Sequence, residues 1–193
     1  KFEADANKLR ETLGEGIIKS LIEGKKIKFS AMPSSTKRMK KVSDLFKKET
    51  SAMKEAREAE AVRAAEAKII EAAIRKAAKK PTGELTKADY EKVTRMNLEN
   101  NQLTDVKGLE KLTKLTWLRL YDNKLTSVKG LEKLTQLKEL YLSANQLTDV
   151  KGLEKLTQLK ILDLNNNPDL TKAQIDELQK ALPKCKIYSN PTK

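Results

Sequence analysis

Residues 109–174 repeat with a period of 22 residues, and this period limits the folds that the chain can adopt. Copies begin at Leu109, Leu131 and Leu153 and follow the frame L-E-K-L-T-x-L-x-x-L-x-L-x-x-N-x-L-T-x-V-K-G, the third as far as Asn167. These leucines keep neither the spacing of a lone helix nor that of a lone strand. A partial earlier copy supplies matching residues at the same offsets: Val93, Met96, Leu98, Asn101, Leu103, Val106 and Gly108.

This spacing is the leucine-rich-repeat pattern, in which each coil lays down a short strand and returns through a turn-rich arc. A single coil cannot bury its own leucines, but stacked coils can, because equivalent leucines form inward columns. The pattern therefore predicts an α/β solenoid. Two inward columns are expected: Leu98, Leu120, Leu142 and Leu164 in one, and Met96, Leu118, Leu140 and Leu162 in the other.

Two further repeated positions are interpreted as scaffold. One asparagine per coil stands where the chain leaves the strand, and its buried amide can satisfy backbone groups that the bend leaves unpaired. One glycine per coil stands at a turn that requires positive φ. The asparagines are Asn101, Asn123, Asn145 and Asn167, and the glycines are Gly108, Gly130 and Gly152.

The positions that change between copies are equally informative. The copies 109–130 and 131–152 match at 14 of 22 positions, and four of the eight mismatches lie in or beside the strand, at offsets that alternation directs away from the core. In the copy 131–152 these offsets include Ser143 and Ala144. They also hold the only Trp and two of the four Tyr, and aromatic residues and Arg are enriched in binding hot spots. The alternative interpretation is drift at unconstrained surface positions. We expect these outward-pointing strand positions to line the concave face of the solenoid. Its candidate partner-binding residues are Arg95, Asn97, Glu99, Trp117, Arg119, Tyr121, Glu139, Tyr141, Ile161 and Asp163.

Residues 67–193 resemble bacterial leucine-rich repeat proteins of the internalin-type 22-residue class. Upstream of the repeats, the segment 69–93 looks like the helical N-terminal cap of such proteins. Within it, Ile70, Ile74 and Ala77 are expected on one helical face, Pro81 and Gly83 end that helix, and Thr86 with Asp89 can cap the next short one.

Downstream, Thr171 and Gln174 stand in capping-box register at the start of a helix. Ile175, Leu178 and Leu182 are expected on its inner face, Pro183 follows its end, and residues 185–188 could add a last strand. The resemblance implies a right-handed coil with an N-terminal cap over 67–92, repeats over 93–170 and a C-terminal cap over 171–193. It says less about function, because this scaffold carries many unrelated binding tasks.

Residues 1–66 lie outside the resemblance, and we interpret them as a basic α-helical arm. Of the net charge of +13, residues 1–80 carry +9. An apolar stripe at helical spacing predicts a first helix, the segment from Met32 to Thr36 interrupts it, and a second helix is expected from near Ser43 to Lys80. The stripe consists of Phe2, Ala6, Leu9, Leu13, Ile17 and Leu21.

The charge between residues 19 and 48 is mostly positive and would attract a polyanion, either nucleic acid or an acidic membrane. No aromatic interleaving or nucleic-acid motif accompanies it, so a solvated basic surface is the alternative. No apolar stretch approaches the roughly 18 residues that span a bilayer. The candidate anion-binding residues are Lys25, Lys26, Lys28, Lys37, Arg38, Lys40 and Lys41.

The composition argues against an enzyme. The chain has no His, which removes the commonest general base and metal ligand, and its single Cys185 excludes an internal disulfide and a thiolate cluster. No phosphate-cradling glycine loop or nucleophile elbow is present. We therefore expect no catalytic residues, no metal, no cofactor and no small-molecule substrate.

The leading hypothesis is a non-enzymatic module that binds a partner protein or peptide through the concave strand face, with the basic arm aiding docking into an assembly. The alternative is an anion-anchoring protein whose arm binds nucleic acid or acidic membrane while the repeats act as a scaffold. A third interpretation makes the arm an oligomerisation element. The chain begins at Lys1 rather than Met. A fragment or a processed product is therefore expected. Exported bacterial proteins often carry this repeat class, so the resemblance implies an exported or cell-envelope location, and a cytoplasmic one stays open.

Overall fold

The computed structural model describes the backbone of residues 36–190 and the side chains of residues 53–190. The chain divides into two compact units, residues 1–53 and 54–193. The predicted helix with the Phe2 to Leu21 stripe lies outside the described residues. The domain boundaries expected at residues 66, 92 and 170 stay predictions.

Helix α1 runs over Thr36–Ala78, so the expected start near Ser43 was wrong. The reason is local: between Thr36 and Ser43 the chain holds strong helix formers and neither Gly nor Pro. The helix ends where Lys79 adopts a φ of 54° and the N–H of Lys80 donates back to the carbonyl of Arg75. This left-handed turn before Pro81 satisfies carbonyls that the last helical turn would leave open.

The second half of α1 packs on the repeats through one stripe at four-residue steps. Ile70, Ile74 and Ala78 are buried in the hydrophobic core. The expectation of Ala77 was wrong, because the i, i+4, i+8 series from Ile70 arrives at Ala78 and leaves Ala77 exposed. One step earlier, the buried carboxylate of Glu66 accepts hydrogen bonds from the backbone N–H (2.6 Å) and the hydroxyl (2.8 Å) of Thr104.

Short helices and strands follow α1 in a regular order. Helix α2 (Lys87–Glu91) comes before the first strand. A 3-10 turn then lies between each pair of consecutive strands from β1 to β4. All strands pair in parallel and in sequence order, so each coil adds its strand directly beside the one before. The strands are β1 (Arg95–Asn97), β2 (Trp117–Arg119), β3 (Glu139–Tyr141), β4 (Ile161–Asp163) and β5 (Lys186–Tyr188), and the 3-10 turns are Leu109–Lys111, Leu131–Lys133 and Leu153–Lys155.

The two predicted leucine columns are confirmed. All eight residues of these columns are at most 3% exposed and belong to one continuous core. Register pairs Leu118 with Met96 on one side and with Leu140 on the other. Each coil therefore buries its leucines against both neighbours, and removing one such side chain costs about 2–5 kcal/mol.

The predicted role of the repeated asparagines is confirmed for Asn123, Asn145 and Asn167, which are buried. Asn101, in the first coil, is only half-buried, and its side chain donates to the carbonyl of Glu99. The Oδ1 atom of Asn123 accepts from the backbone N–H groups of Asn101 (3.1 Å) and Leu103 (2.9 Å) in the preceding coil. Its Nδ2 group donates to the carbonyls of Leu98 (2.9 Å) and Leu120 (3.0 Å). Asn145 and Asn167 repeat this pattern one and two coils later, so a ladder of buried amides joins successive coils.

Left-handed backbone recurs at two positions of the repeat, and the first coil adds a third at Gln102, with a φ of 57°. Gly108, Gly130 and Gly152 have φ values of 103°, 103° and 99°, as the sequence predicted. The residue before each ladder asparagine also has a positive φ of 54–57°, although it is not glycine. Three of these four residues are Asn or Asp, which tolerate this region, and the fourth is Ala144.

The C-terminal segment closes the core. Helix α3 (Lys172–Ala181) begins at Thr171, whose backbone N–H donates to Gln174 (2.8 Å) while its hydroxyl accepts from the N–H of Gln174 (3.3 Å). The predicted inner residues of this helix are buried, and β5 then joins the sheet beside β4. The side chain of Cys185 is also buried, and this burial raises the pKa of its thiol. The buried inner residues are Ile175 and Leu178 within α3 and Leu182 directly after its last residue.

Candidate functional site

The five strands present one side to the core and the other to solvent. In β1 to β4 the middle residue is buried and the first and third are exposed or half-buried. This alternation follows from the strand, since successive side chains point to opposite faces of a sheet. We call the solvent side of the strands, with the residues that follow them on that side, the outer sheet face. It carries all ten predicted partner-binding residues: Arg95, Asn97, Glu99, Trp117, Arg119, Tyr121, Glu139, Tyr141, Ile161 and Asp163.

Register orders these side chains into rows across the strands. Arg95, Trp117, Glu139 and Ile161 stand opposite one another in the first row. Asn97, Arg119, Tyr141 and Asp163 form the second row. Parallel strands lie about 4.8 Å apart, so neighbours within a row are close enough to touch.

An aromatic and guanidinium cluster occupies the centre of the outer sheet face. The rings of Trp117 and Tyr141 are tilted at 57° with centroids 6.0 Å apart. The guanidinium carbon of Arg95 lies 4.5 Å from the Trp117 centroid. That of Arg119 lies 5.0 Å from the Trp117 centroid and 5.6 Å from the Tyr141 centroid. Trp117 is half-buried, and favourable contacts with Arg95, Arg119 and Tyr141 stabilise its ring on the solvent side of the sheet.

Hydrogen bonds fix the polar groups around this cluster. Arg119 donates to the carboxylate of Glu99, two residues after the neighbouring strand β1, at 3.2 Å. The Tyr141 hydroxyl donates to the Glu139 carboxylate at 2.8 Å. This donation, together with partial burial, raises the pKa of Tyr141 above its ordinary range.

The Asp163 carboxylate is held in the same way. One oxygen accepts from the Ser143 hydroxyl (2.8 Å) and the other from the Asn165 side-chain amide (2.8 Å). Ser143 was expected to be exposed, but it is buried, because the bond to Asp163 of the next coil covers it. Hydrogen bonds between coils therefore hold side chains of the outer sheet face that alternation within one strand would leave free in solvent.

Tyr121 and Tyr188 supply the exposed apolar surface of this face. They are 45% and 40% exposed, and with Met53 and Val62 they are the large hydrophobic residues exposed among residues 53–190. Tyr188 was predicted as part of a last strand but not as a site residue. Its register opposite Asp163 extends the outer sheet face by a fifth strand, and the same strand places Lys186 over its ring at 4.9 Å. Alternation in residues 186–188 was the signal that could have found both.

The side chains of the predicted anion-binding residues all lie outside the described part of the chain. Lys25, Lys26 and Lys28 lie outside the described residues, and at positions 37–41 only the backbone of α1 is described. Binding of a polyanion by residues 19–48 therefore stays a prediction. Within the described part of the chain, no helix has the length and apolarity to cross a membrane. Over residues 53–190, no three carboxylate or thiol side chains converge as metal ligands would.

Comparison with known proteins finds family-level similarity in the repeat region of the chain. The family model described as "Leucine Rich repeats (2 copies)" matches residues 113–150 and 135–180. A comparison with curated proteins found no match. No enzyme family is indicated.

Three solved structures from Listeria monocytogenes are similar to this chain. Internalin C2 is 28% identical with a TM-score of 0.54, and the match covers 63% of this chain and 54% of that one. The functional domain of InlJ is 25% identical with a TM-score of 0.51, covering 63% and 26%. The internalin InlF, at 23% identity and a TM-score of 0.54, covers 64% and 42% and supports the fold alone. The chain thus spans between about a quarter and about half of the length of these structures. The matched residues 113–180 fit the leucine-rich-repeat model, and the similar structures named above are bacterial internalins.

Proposed function

We propose that this chain is a non-enzymatic module that binds a partner protein or peptide through the outer sheet face. In this proposal the face is the concave side of a right-handed coil, and the helices before β1 and after β4 cap its two ends. The observation that carries the proposal is the cluster of Trp117, Arg119 and Tyr141, formed by residues that differ between otherwise similar coils. Repeat proteins of this kind use extended concave surfaces for binding.

The residue types of the cluster favour a protein partner. Trp, Tyr and Arg dominate binding hot spots, because they combine a large contact area with a polar group. Here the contacts between Arg95, Trp117 and Arg119 hold the side chains in place before any partner arrives. A site that is ordered in advance loses less conformational entropy on binding.

The size of the face sets the expected strength of binding. Five strands about 4.8 Å apart give a surface about 20 Å across. A standard interface buries about 800 Å² on each partner, so the strands alone offer a small one. We therefore propose that residues 1–66 add contact area or attach the protein to a larger assembly.

The proposal is tested by selecting binders from a phage-displayed library of random peptides on the full chain. The affinity of the enriched peptides is then measured for Trp117→Ala, for Tyr121→Ala and for the unchanged protein. We expect each substitution to weaken binding by about tenfold or more, since truncating a hot-spot residue costs about 2 kcal/mol or more. Tyr121→Ala is the safer variant for folding, because that ring is exposed.

The matched control is Val62→Ala, which removes an exposed apolar side chain from α1 and not from the sheet. It should leave the affinity unchanged. Peptides that bind the two aromatic variants as tightly as the unchanged protein, with urea denaturation showing intact folding, would contradict the proposed site.

A further inference from the structure

The charged residues of the outer sheet face fall into two groups. Glu99 is neutralised by Arg119 at 3.2 Å. Arg95, Glu139 and Asp163 have no ion-pair partner within 4.0 Å among residues 53–190. These three charges are therefore left without a counterion within 4.0 Å among residues 53–190, as is Lys186 on β5.

Each of these three charges is nevertheless held in place by an uncharged group. Trp117 lies under the guanidinium of Arg95, with 4.5 Å from Cζ to the ring centroid. Hydroxyl groups donate to the two carboxylates: that of Tyr141 to Glu139 and that of Ser143 to Asp163, both at 2.8 Å. Such contacts orient a charge without cancelling it, which is the arrangement that favours pairing with an external partner.

The register separates the two signs of charge. Arg95 stands on β1 and Glu139 two strands away in the same row, so their backbones are about 10 Å apart. Asp163 lies on β4, one strand beyond Glu139 and one row over. The face is thus positive at β1 and negative across β3 and β4, with Lys186 adding a second cation at the β5 edge.

We propose that the partner places a basic side chain between Glu139 and Asp163 and a carboxylate against Arg95. This inference rests on the proposed function and names the chemistry of the partner segment. An extended segment lying across the strands rises about 3.3 Å per residue, so residues four apart are about 13 Å apart and point to the same side. The partner therefore carries an acidic and a basic residue four positions apart in an extended stretch.

The test uses substitutions that remove charge and keep the hydrogen bonds. Glu139→Gln and Asp163→Asn each retain a side-chain oxygen that accepts from the neighbouring hydroxyl. In the peptide selection described above, the unchanged protein should enrich peptides with an acid and a base four residues apart. The double variant Glu139→Gln with Asp163→Asn should bind these peptides about tenfold more weakly or worse. Arg95→Gln should weaken the binding of peptides that carry the acidic residue. It should leave unchanged the binding of the same peptides in which Gln replaces that acidic residue.

Asp176→Asn is the matched control, because it removes an exposed carboxylate on α3 and should leave peptide binding unchanged. Peptides that depend on Trp117 and Tyr121 but bind the charge-neutral variants at full affinity would overturn this inference and leave the proposed function standing. Peptides that depend on neither set, or no enrichment at all, would overturn both.

Discussion

The side-chain oxygen of Asn145 accepts a 3.0 Å hydrogen bond from the backbone N–H of Leu125, which belongs to the preceding coil. The amide group of the same side chain donates to the carbonyls of Leu120 (2.9 Å) and Leu142 (3.0 Å), one in each coil. A single buried side chain thus satisfies backbone groups on both sides of a coil boundary. The order of the outer sheet face depends on such links, because its contacts join residues of different coils.

Replacing Asn145 with Ala should lower the free energy of unfolding by roughly 2–4 kcal/mol, because several buried backbone groups lose their partners at about 1–3 kcal/mol each. Urea denaturation followed by circular dichroism measures the change. Gln146→Ala, at the exposed neighbouring position, is the control and should change stability by less than about 0.5 kcal/mol. Equal stability of the two variants would show that the amide ladder does not couple the coils.

Ala144 should be a point where the chain can be stabilised. Its φ is 54°, in the left-handed region where the equivalent residues of other coils are Asn100, Asp122 and Asn166. Left-handed backbone costs an ordinary residue about 1–2 kcal/mol and is tolerated by Asn. Ala144→Asn should therefore raise the free energy of unfolding by about 0.5–1 kcal/mol.

Glycine substitutions test whether the left-handed backbone at Ala144 is unfavourable, because the sign of the stability change should differ between two sites. Ala144→Gly should be neutral or stabilising, whereas Ala72→Gly in the interior of α1 should destabilise by about 0.5–1 kcal/mol. Equal destabilisation by both glycines would mean that the backbone at Ala144 is not strained.

The free energy of unfolding should depend on pH through the carboxyl group of Asp89. Its buried carboxylate accepts from Lys80 Nζ (2.7 Å), from the hydroxyl and N–H of Thr86, and from Lys92 Nζ (3.0 Å). The Lys80 ammonium and these further donors hold the pKa of this carboxyl well below its ordinary value of 3.8. A depressed pKa gives stability that is fully present above that ordinary value and is lost as the pH falls below it.

Asp89→Asn removes this contribution. The difference in unfolding free energy between the unchanged chain and Asp89→Asn should be largest near about pH 7 and shrink as the pH falls to about 3. Urea titrations at both pH values measure it. Asp176→Asn breaks only an exposed ion pair on α3 and should have little effect at either pH. A difference for Asp89→Asn that stays constant with pH would contradict the assignment.

Tyr141 reports on the polar contacts of the outer sheet face. Because its hydroxyl donates to the Glu139 carboxylate, its pKa is raised from the ordinary value of 10.0. Glu139→Gln removes the negative charge and should bring the pKa of Tyr141 down, so that the tyrosinate forms at lower pH. NMR titration of the assigned ring signals distinguishes Tyr141 from the other three tyrosines. An unchanged titration would show that the hydroxyl does not bind Glu139 in solution.

The period made much of the fold predictable. Leu118 and Leu140 were assigned to one inward column because a 22-residue coil places equivalent side chains above one another. The amide role of Asn123 followed from its place at the end of a strand. The outer sheet face was predictable for the same reason, since alternation fixes the side of each residue once the strand is located.

Other features depend on contacts that a single coil does not contain. Ser143 is buried because Asp163 of the next coil covers it, and no pattern within its own repeat indicates that. The choice of Ala78 over Ala77 depends on how α1 lies against the first coil, which helical periodicity leaves open by one position. The pairing of Arg119 with Glu99, and hence the charges left unpaired on the face, required the register between neighbouring strands.

The most direct measurement of where this protein binds is an NMR titration of the isotope-labelled full chain with the peptide enriched most strongly on it. The account predicts that the largest shifts occur at the indole N–H of Trp117, at Tyr121 and at Tyr141, together with backbone amides of β1 to β4. Shifts concentrated instead on α1, on α3 or on the 3-10 turns, with the outer sheet face unperturbed, would contradict it.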